Sequence, residues 1–214
     1  PDGLSDIQNG MADIEHHMLH FLDNHDEQRL ASPEFAGTPQ KGKPLMVVST
    51  TISTSPTMVY FGQEVGEAGN ENAGFGTHSR TSIFDYIGVP NHQRWMNGGK
   101  FDGGQLTQEE KELRDFYKRI LNFSLNSTAL MGEYQEIQTV NRQTTQGYDP
   151  GIYAFTRWSD TQKLVIVTNF SWLSTSNFEL KIPSEIIRKW NLKDGNYTVT
   201  DQLYNKSSVQ LQVL

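Results

Sequence analysis

Near Met131-Gly132 the hydrophobic rhythm of the chain changes period, and this change limits the fold more than any other feature. Before it, apolar residues recur at helical spacing or gather in two short runs. After it, short segments alternate apolar with polar and are separated by Gly, Asn, Asp or Pro. A chain that switches once, in this order, is expected to hold two unlike parts. Residues 1–131 read as an α/β part and residues 132–214 as a β part.

Within the first part, Leu4, Ile7, Met11 and Ile14 are spaced as one face of a helix across residues 1–17. Met18-Leu19-His20-Phe21-Leu22 gives way to Asp23-Asn24-His25-Asp26-Glu27-Gln28-Arg29, the pattern of a buried strand emptying into a charged loop. Residues 43–54 read as a helix, with Pro44 at the start and Pro56 beyond the end. Thr57–Phe61 reads as a second buried strand, stopped by Gly62. Helix, strand, helix, strand is the alternation of a parallel α/β layer. Residues 62–105 interrupt it with ten of the 18 glycines and with Phe75, Phe84, Tyr86 and Trp95. A connection this long without periodicity is functional or disordered, and its aromatics favour function. Thr107 and Glu110 then form a capping box. The helix that follows carries Leu113, Phe116, Tyr117, Ile120 and Leu121 on one stripe.

In the second part, strands are predicted at Tyr134–Val140, Ile152–Trp158, Lys163–Phe170, Asn177–Ile182, Tyr197–Asp201 and Ser208–Val213. Residues 158–163 read as a hairpin connection, Asp194-Gly195 as a turn, and 184–190 as a helical turn. Together these suggest a small antiparallel β-sandwich.

Composition removes whole classes of function. There is no cysteine among the 214 residues, which excludes disulfides, zinc–thiolate sites, iron–sulfur clusters and a thiol nucleophile. A net charge of −7 without a Lys/Arg cluster argues against nucleic acid as a partner. No apolar run approaches the roughly 20 residues of a membrane span. The chain starts at Pro1 with no apolar leader behind it, so it is expected to begin inside a longer product.

Asp23, His25 and Asp26 sit where a buried strand is predicted to end. One reading is a strand-ending turn with a solvated charge cluster. The other is an active site, since the C-terminal strand ends of a parallel α/β barrel carry catalysis. The segment Phe21-Leu22-Asp23-Asn24-His25-Asp26, with Arg29 beyond it, resembles the fourth signature region of the α-amylase family, glycoside hydrolase family 13. Ser55–Glu64, ending Gly62-Gln63-Glu64, is similar to that family's eighth strand and its exit. Arg80-Thr81-Ser82-Ile83-Phe84-Asp85-Tyr86 and Gln93-Arg94-Trp95 resemble its long connection after that strand. Phe116–Leu121 and Ser127–Leu130 resemble its eighth helix, and Tyr153–Arg157 and Val165–Phe170 its C-terminal β-domain.

The resemblance implies the seventh and eighth strand–helix units of a (β/α)8 TIM barrel in residues 1–131, then a β-sandwich in 132–214. It implies that Asp26 stabilises an oxocarbenium-like transition state and that His25 binds a sugar hydroxyl. Asn24 would shape the loop and Arg29 support it by charge pairing, with Trp95 a sugar-stacking platform or a packing residue. Phe75 and Tyr86 carry the same two readings as Trp95, and Glu64 reads as structural.

Retaining glycosidases need a carboxylate nucleophile and a carboxylic acid about 5–5.5 Å apart. The family's Gly-x-Arg-x-Asp motif for the nucleophile is absent here. So is its first region, where a calcium site would lie, so no cofactor is expected within the chain. The implied whole is an α-glucan or maltooligosaccharide hydrolase whose N-terminal barrel portion is the missing partner; its location stays open, with the resemblance leaning to secreted or periplasmic. The 214 residues alone are expected to be inactive. Two alternatives stand beside this reading, a non-catalytic relative of the same fold and a carbohydrate-binding module. Trp172 and Trp190 form no recognisable stripe for the latter.

Overall fold

The longest helix forms where the apolar stripe predicts it, and both halves of its capping box close. Thr107 N–H donates to Glu110 Oε2 at 2.9 Å and Glu110 N–H to Thr107 Oγ1 at 3.3 Å. The structure, a computed structural model, describes residues 1–69, 80, 81, 83, 84, 88–172 and 175–214. Among them the elements run α1 (Asp2–Gly10), α2 (Lys43–Thr51), α3 (Pro90–Met96), α4 (Gln108–Asn126), β1 (Glu133–Glu136), α5 (Gln138–Thr144), β2 (Ile152–Trp158), β3 (Lys163–Asn169), α6 (Ser184–Lys189), β4 (Gly195–Thr200) and β5 (Ser208–Val213). Helices are thus mixed with antiparallel sheets. No helix among the described residues is long and apolar enough to cross a membrane. The chain divides into two compact units, residues 16–50 with 55–121, and residues 1–15 with 51–54 and 122–214. The dividing point at 121/122 falls inside α4, ten residues before the change of period, and the first fifteen residues group with the β part.

The unit of residues 16–50 and 55–121 is built on α4, which buries Leu113, Phe116, Tyr117 and Ile120. Tyr117 accepts from Gln63 Nε2 at 3.0 Å, and the Lys43 ammonium sits 5.4 Å from the Phe116 ring centre. The two runs predicted as buried strands meet in a single parallel bridge, His20 with Thr57. His20 N–H donates to the Pro56 carbonyl at 2.9 Å, and Met58 N–H donates to the His20 carbonyl at 2.8 Å. Neither run extends into a ladder, and the first is not buried: Met18, Leu19 and Phe21 are 38, 48 and 43% exposed.

In the unit of residues 1–15, 51–54 and 122–214, β1, β2 and β3 make a three-stranded antiparallel sheet in that order. β2 is central and buried at every position, whereas β3 alternates. The Ser159–Gln162 turn joins them, Ser159 N–H donating to the Gln162 carbonyl at 2.9 Å. Ile137, Ala154, Trp158, Ile186 and Trp190 pack together as the core. Arg157 of β2 is also buried, and the two terminal nitrogens of its guanidinium donate to carbonyls. Its Nη2 donates to Leu130 at 2.6 Å and Gly132 at 3.0 Å, and its Nη1 to Thr51 at 3.3 Å. β4 and β5 form a separate two-stranded sheet.

Two predicted strands take other forms, for one reason. β1 ends at Glu136 and residues 138–144 turn into α5, which the Glu136 carboxylate starts by accepting Thr139 N–H at 2.9 Å. That helix buries Asn141, whose amide takes the place of a neighbouring strand for residue 181. Asn141 Oδ1 accepts Lys181 N–H at 2.8 Å and its Nδ2 donates to the Lys181 carbonyl at 2.8 Å. Residues 177–182 therefore have a side chain where a ladder was predicted.

Candidate functional site

Where the first apolar run ends, three loops of hydrogen bonding are nested inside residues 23–30. The innermost is a turn closed by Asn24, whose Oδ1 accepts Asp26 N–H at 2.7 Å and Glu27 N–H at 3.0 Å. Around it, Asp23 Oδ2 accepts Leu30 N–H at 2.8 Å, drawing the two ends together. Just inside that closure lies an ion pair, Arg29 Nε to Asp23 Oδ2 at 3.5 Å, with both side chains 0% exposed. Arg29 then fastens this loop to two other segments. Its Nη2 donates to the Phe61 carbonyl at 2.6 Å, its Nη1 to Thr81 Oγ1 at 3.3 Å, and its guanidinium lies 4.8 Å from the Tyr60 ring centre.

The loop so held presents Asp26 to solvent with its carboxylate 70% exposed. His25 Nε2 lies 3.3 Å from Asp26 Oδ2, and Arg80 Nη2 lies 3.4 Å from Asp26 Oδ1. Asp23, His25, Asp26 and Arg29 thus divide by depth. Asp23 and Arg29 are inside and bind the loop; His25 and Asp26 are outside and reach solvent. Arg29 has no exposed side-chain surface and stands beneath the loop as a buried support.

The buried side carries a second carboxylate. Glu67 Oε2 accepts the backbone N–H of Asn91 at 3.0 Å and of His92 at 3.3 Å. Gly62 makes this approach fit: its φ of +83° is left-handed, and a Cβ there would lie 3.1 Å from the Glu67 Cβ and 3.3 Å from Arg29 Nη2. Burial pushes the Asp23 carboxyl above the usual carboxylate range, opposed by the Arg29 charge and the Leu30 N–H. Burial raises Glu67 in the same way, against the His92 N–H and the Arg29 charge. Among the described residues Asp23 Oδ1 has no hydrogen-bond partner, so the Asp23 carboxylate rests on Arg29 and one backbone N–H.

Trp95 is placed among protein groups. Its ring stacks on His92 at 5.6 Å, leans on Phe101 at 5.8 Å and carries the Arg114 guanidinium at 5.5 Å. His92 in turn meets Phe61 edge-on at 5.0 Å, so Trp95 reaches the Arg29 neighbourhood through packing. This geometry favours the packing role for Trp95. Phe75 and Tyr86 lie outside the described residues. Glu64 lies in the middle of a short helical turn, Gln63–Val65. Trp190 is buried against Trp158 at 6.3 Å, and Trp172 is exposed.

Sequence reasoning overlooked Arg80 as a neighbour of Asp26 and Glu67 as part of the buried support. The signal for Arg80 was a lone cation directly before Thr81 in a stretch otherwise poor in charge. Among the described residues no group of three or more His, Asp or Glu side chains is placed to hold a metal ion. No family model, no curated protein and no solved structure matches this chain.

Proposed function

We propose that the chain is the C-terminal part of a retaining α-glucan hydrolase that resembles the α-amylase family. In this reading Asp26 faces the developing oxocarbenium ion and His25 binds a hydroxyl of the same sugar. One observation carries it: an exposed carboxylate, flanked by an imidazole, is held on a rigid nested turn at the end of a run that pairs in parallel with a second. Preorganised charge of this kind helps most where positive charge develops. A merely solvated turn has no need of a buried ion pair beneath it.

The other carboxylates of the site do not supply the missing chemistry. Asp23 and Glu67 are buried and engaged with Arg29 and backbone N–H groups, so neither is available as nucleophile or acid. Exposed Met18, Leu19 and Phe21 support a sheet continued by further chain, which would cover them. The nucleophile and acid belong to that further chain in this account.

The test is the stereochemistry of hydrolysis. The full-length gene product is incubated with maltoheptaose, and the anomeric configuration of the first product is followed by proton NMR. The reading expects the α-anomer first, and no turnover by the 214-residue chain alone. A β-anomer first, or no hydrolysis of any α-glucan by the full-length protein, overturns it.

A further inference from the structure

Asp26 is exposed, yet both of its carboxylate oxygens are met by a cationic or imidazole group, and one of these groups comes from a distant segment. Arg80 Nη2 lies 3.4 Å from Asp26 Oδ1 and 3.4 Å from the backbone carbonyl oxygen of His25. One nitrogen thus spans the carboxylate of residue 26 and the main chain of residue 25, fixing the side chain relative to its own backbone. His25 Nε2 meets the other oxygen at 3.3 Å. Without the guanidinium, a side chain 70% exposed would keep only the neighbouring imidazole to limit its two torsions.

Arg80 is itself placed by the buried pair. The next residue, Thr81, is buried and accepts from Arg29 Nη1 at 3.3 Å. Arg29 is fastened to Asp23 and to the Phe61 carbonyl. The buried ion pair therefore sets the position of residue 81, and residue 80 reaches outward to Asp26. The two ends of the contact, residues 26 and 80, share one anchor.

We propose that Arg80 is a positioning residue for Asp26, holding the carboxylate in the orientation that meets positive charge in the transition state. This rests on the reading of Asp26 given above. A carboxylate that must first be oriented loses part of its stabilising effect. Arg80 acts through Asp26, so its removal should matter only while Asp26 carries charge. Its side chain is 34% exposed, so substitution leaves the core intact.

The test is steady-state kinetics of the full-length protein on maltoheptaose for Arg80→Gln, Arg80→Lys, Asp26→Asn and Arg80→Gln/Asp26→Asn. Arg80→Gln should lower kcat by on the order of tenfold and change KM by less than about twofold, the loss of one charge-assisted contact made through Asp26. Arg80→Lys keeps the charge without the fork and should recover part of the loss. The double variant should be no slower than Asp26→Asn alone, because the group Arg80 positions is already disabled. An unfolding midpoint unchanged in Arg80→Gln separates positioning from loss of fold. If Asp26→Asn is severe but Arg80→Gln is silent, acts on KM alone, or multiplies in full with Asp26→Asn, the positioning role is wrong and the reading of Asp26 stands. If Asp26→Asn itself keeps near wild-type kcat, both fall.

Discussion

Replacing Arg29 by Met strips a buried guanidinium from a carboxylate whose other partner, among the described residues, is the Leu30 N–H. The wild-type guanidinium makes contacts to Phe61 at 2.6 Å, to Thr81 at 3.3 Å and to Asp23 at 3.5 Å. Met fills much of the volume but leaves Asp23 with only the Leu30 N–H at 2.8 Å, its Oδ1 already unpartnered. Breaking a buried pair from one side costs about 3–5 kcal/mol. That is a large share of the roughly 5–15 kcal/mol that holds a domain folded. The loss should also depend on pH. With burial as the dominant cause and Arg29 gone, the Asp23 carboxyl is pushed further above its unfolded value. A raised carboxyl contributes stability below its unfolded pKa and loses it as pH rises through the folded one, so the variant should be worst at neutral pH and improve on acidification.

Urea unfolding of the 214-residue chain labelled with fluorotryptophan reads this directly. Trp95 belongs to the unit that contains Arg29, while Trp158, Trp172 and Trp190 belong to the other, so fluorine resonances separate the two transitions. Arg29→Met should move the Trp95 transition by the stated amount. Arg29→Met/Asp23→Asn should be more stable than Arg29→Met at pH 7, because the stranded charge is gone. A cost below about 1 kcal/mol, or a double variant worse than the single, would refute a structural role for the pair.

Two further outcomes follow from the same geometry. Glu67→Gln removes a carboxyl that burial raises above its ordinary 4.5, so wild type should lose stability relative to the variant as pH rises from about 4 through that raised value. Urea midpoints of both proteins from pH 4 to pH 7 check it, and a constant difference would contradict it. Asn141→Ala leaves the Lys181 N–H and the Ile137 and Lys181 carbonyls without the amide that serves them, at a cost of about 3 kcal/mol. The Trp158 and Trp190 resonances should shift their midpoint while Trp95 keeps its own, and an unchanged midpoint would show the segment held by something else.

The parts of the fold legible in the sequence are those whose cause is local. α2, α4 with its capping box and the Ser159–Gln162 hairpin each depend on residues within a few positions of one another. α5 was not legible, because Tyr134–Val140 alternates like a strand and the reason it turns is an amide bond to residue 181, forty positions away. The same bond accounts for 177–182. In the site, the residue types and order around Asp26 pointed to the exposed carboxylate and its imidazole neighbour. Depth was not readable. Asp23 and Asp26 look alike in the sequence, and only the closure by Leu30 and Arg29 makes one structural and the other available. The pairing with Arg80 spans 54 positions and leaves no periodic trace.

The role proposed for Asp26 is to face developing positive charge on a sugar. Loss of one preorganised electrostatic partner lowers kcat by on the order of 10²–10³. Asp26→Asn in the full-length protein keeps the shape and removes the charge, and steady-state kinetics on maltoheptaose measure what the charge contributes. Asp26→Asn should reduce kcat by at least about a hundredfold with KM altered far less, whereas His25→Ala should act on both more evenly. A kcat for Asp26→Asn within about tenfold of wild type would contradict it.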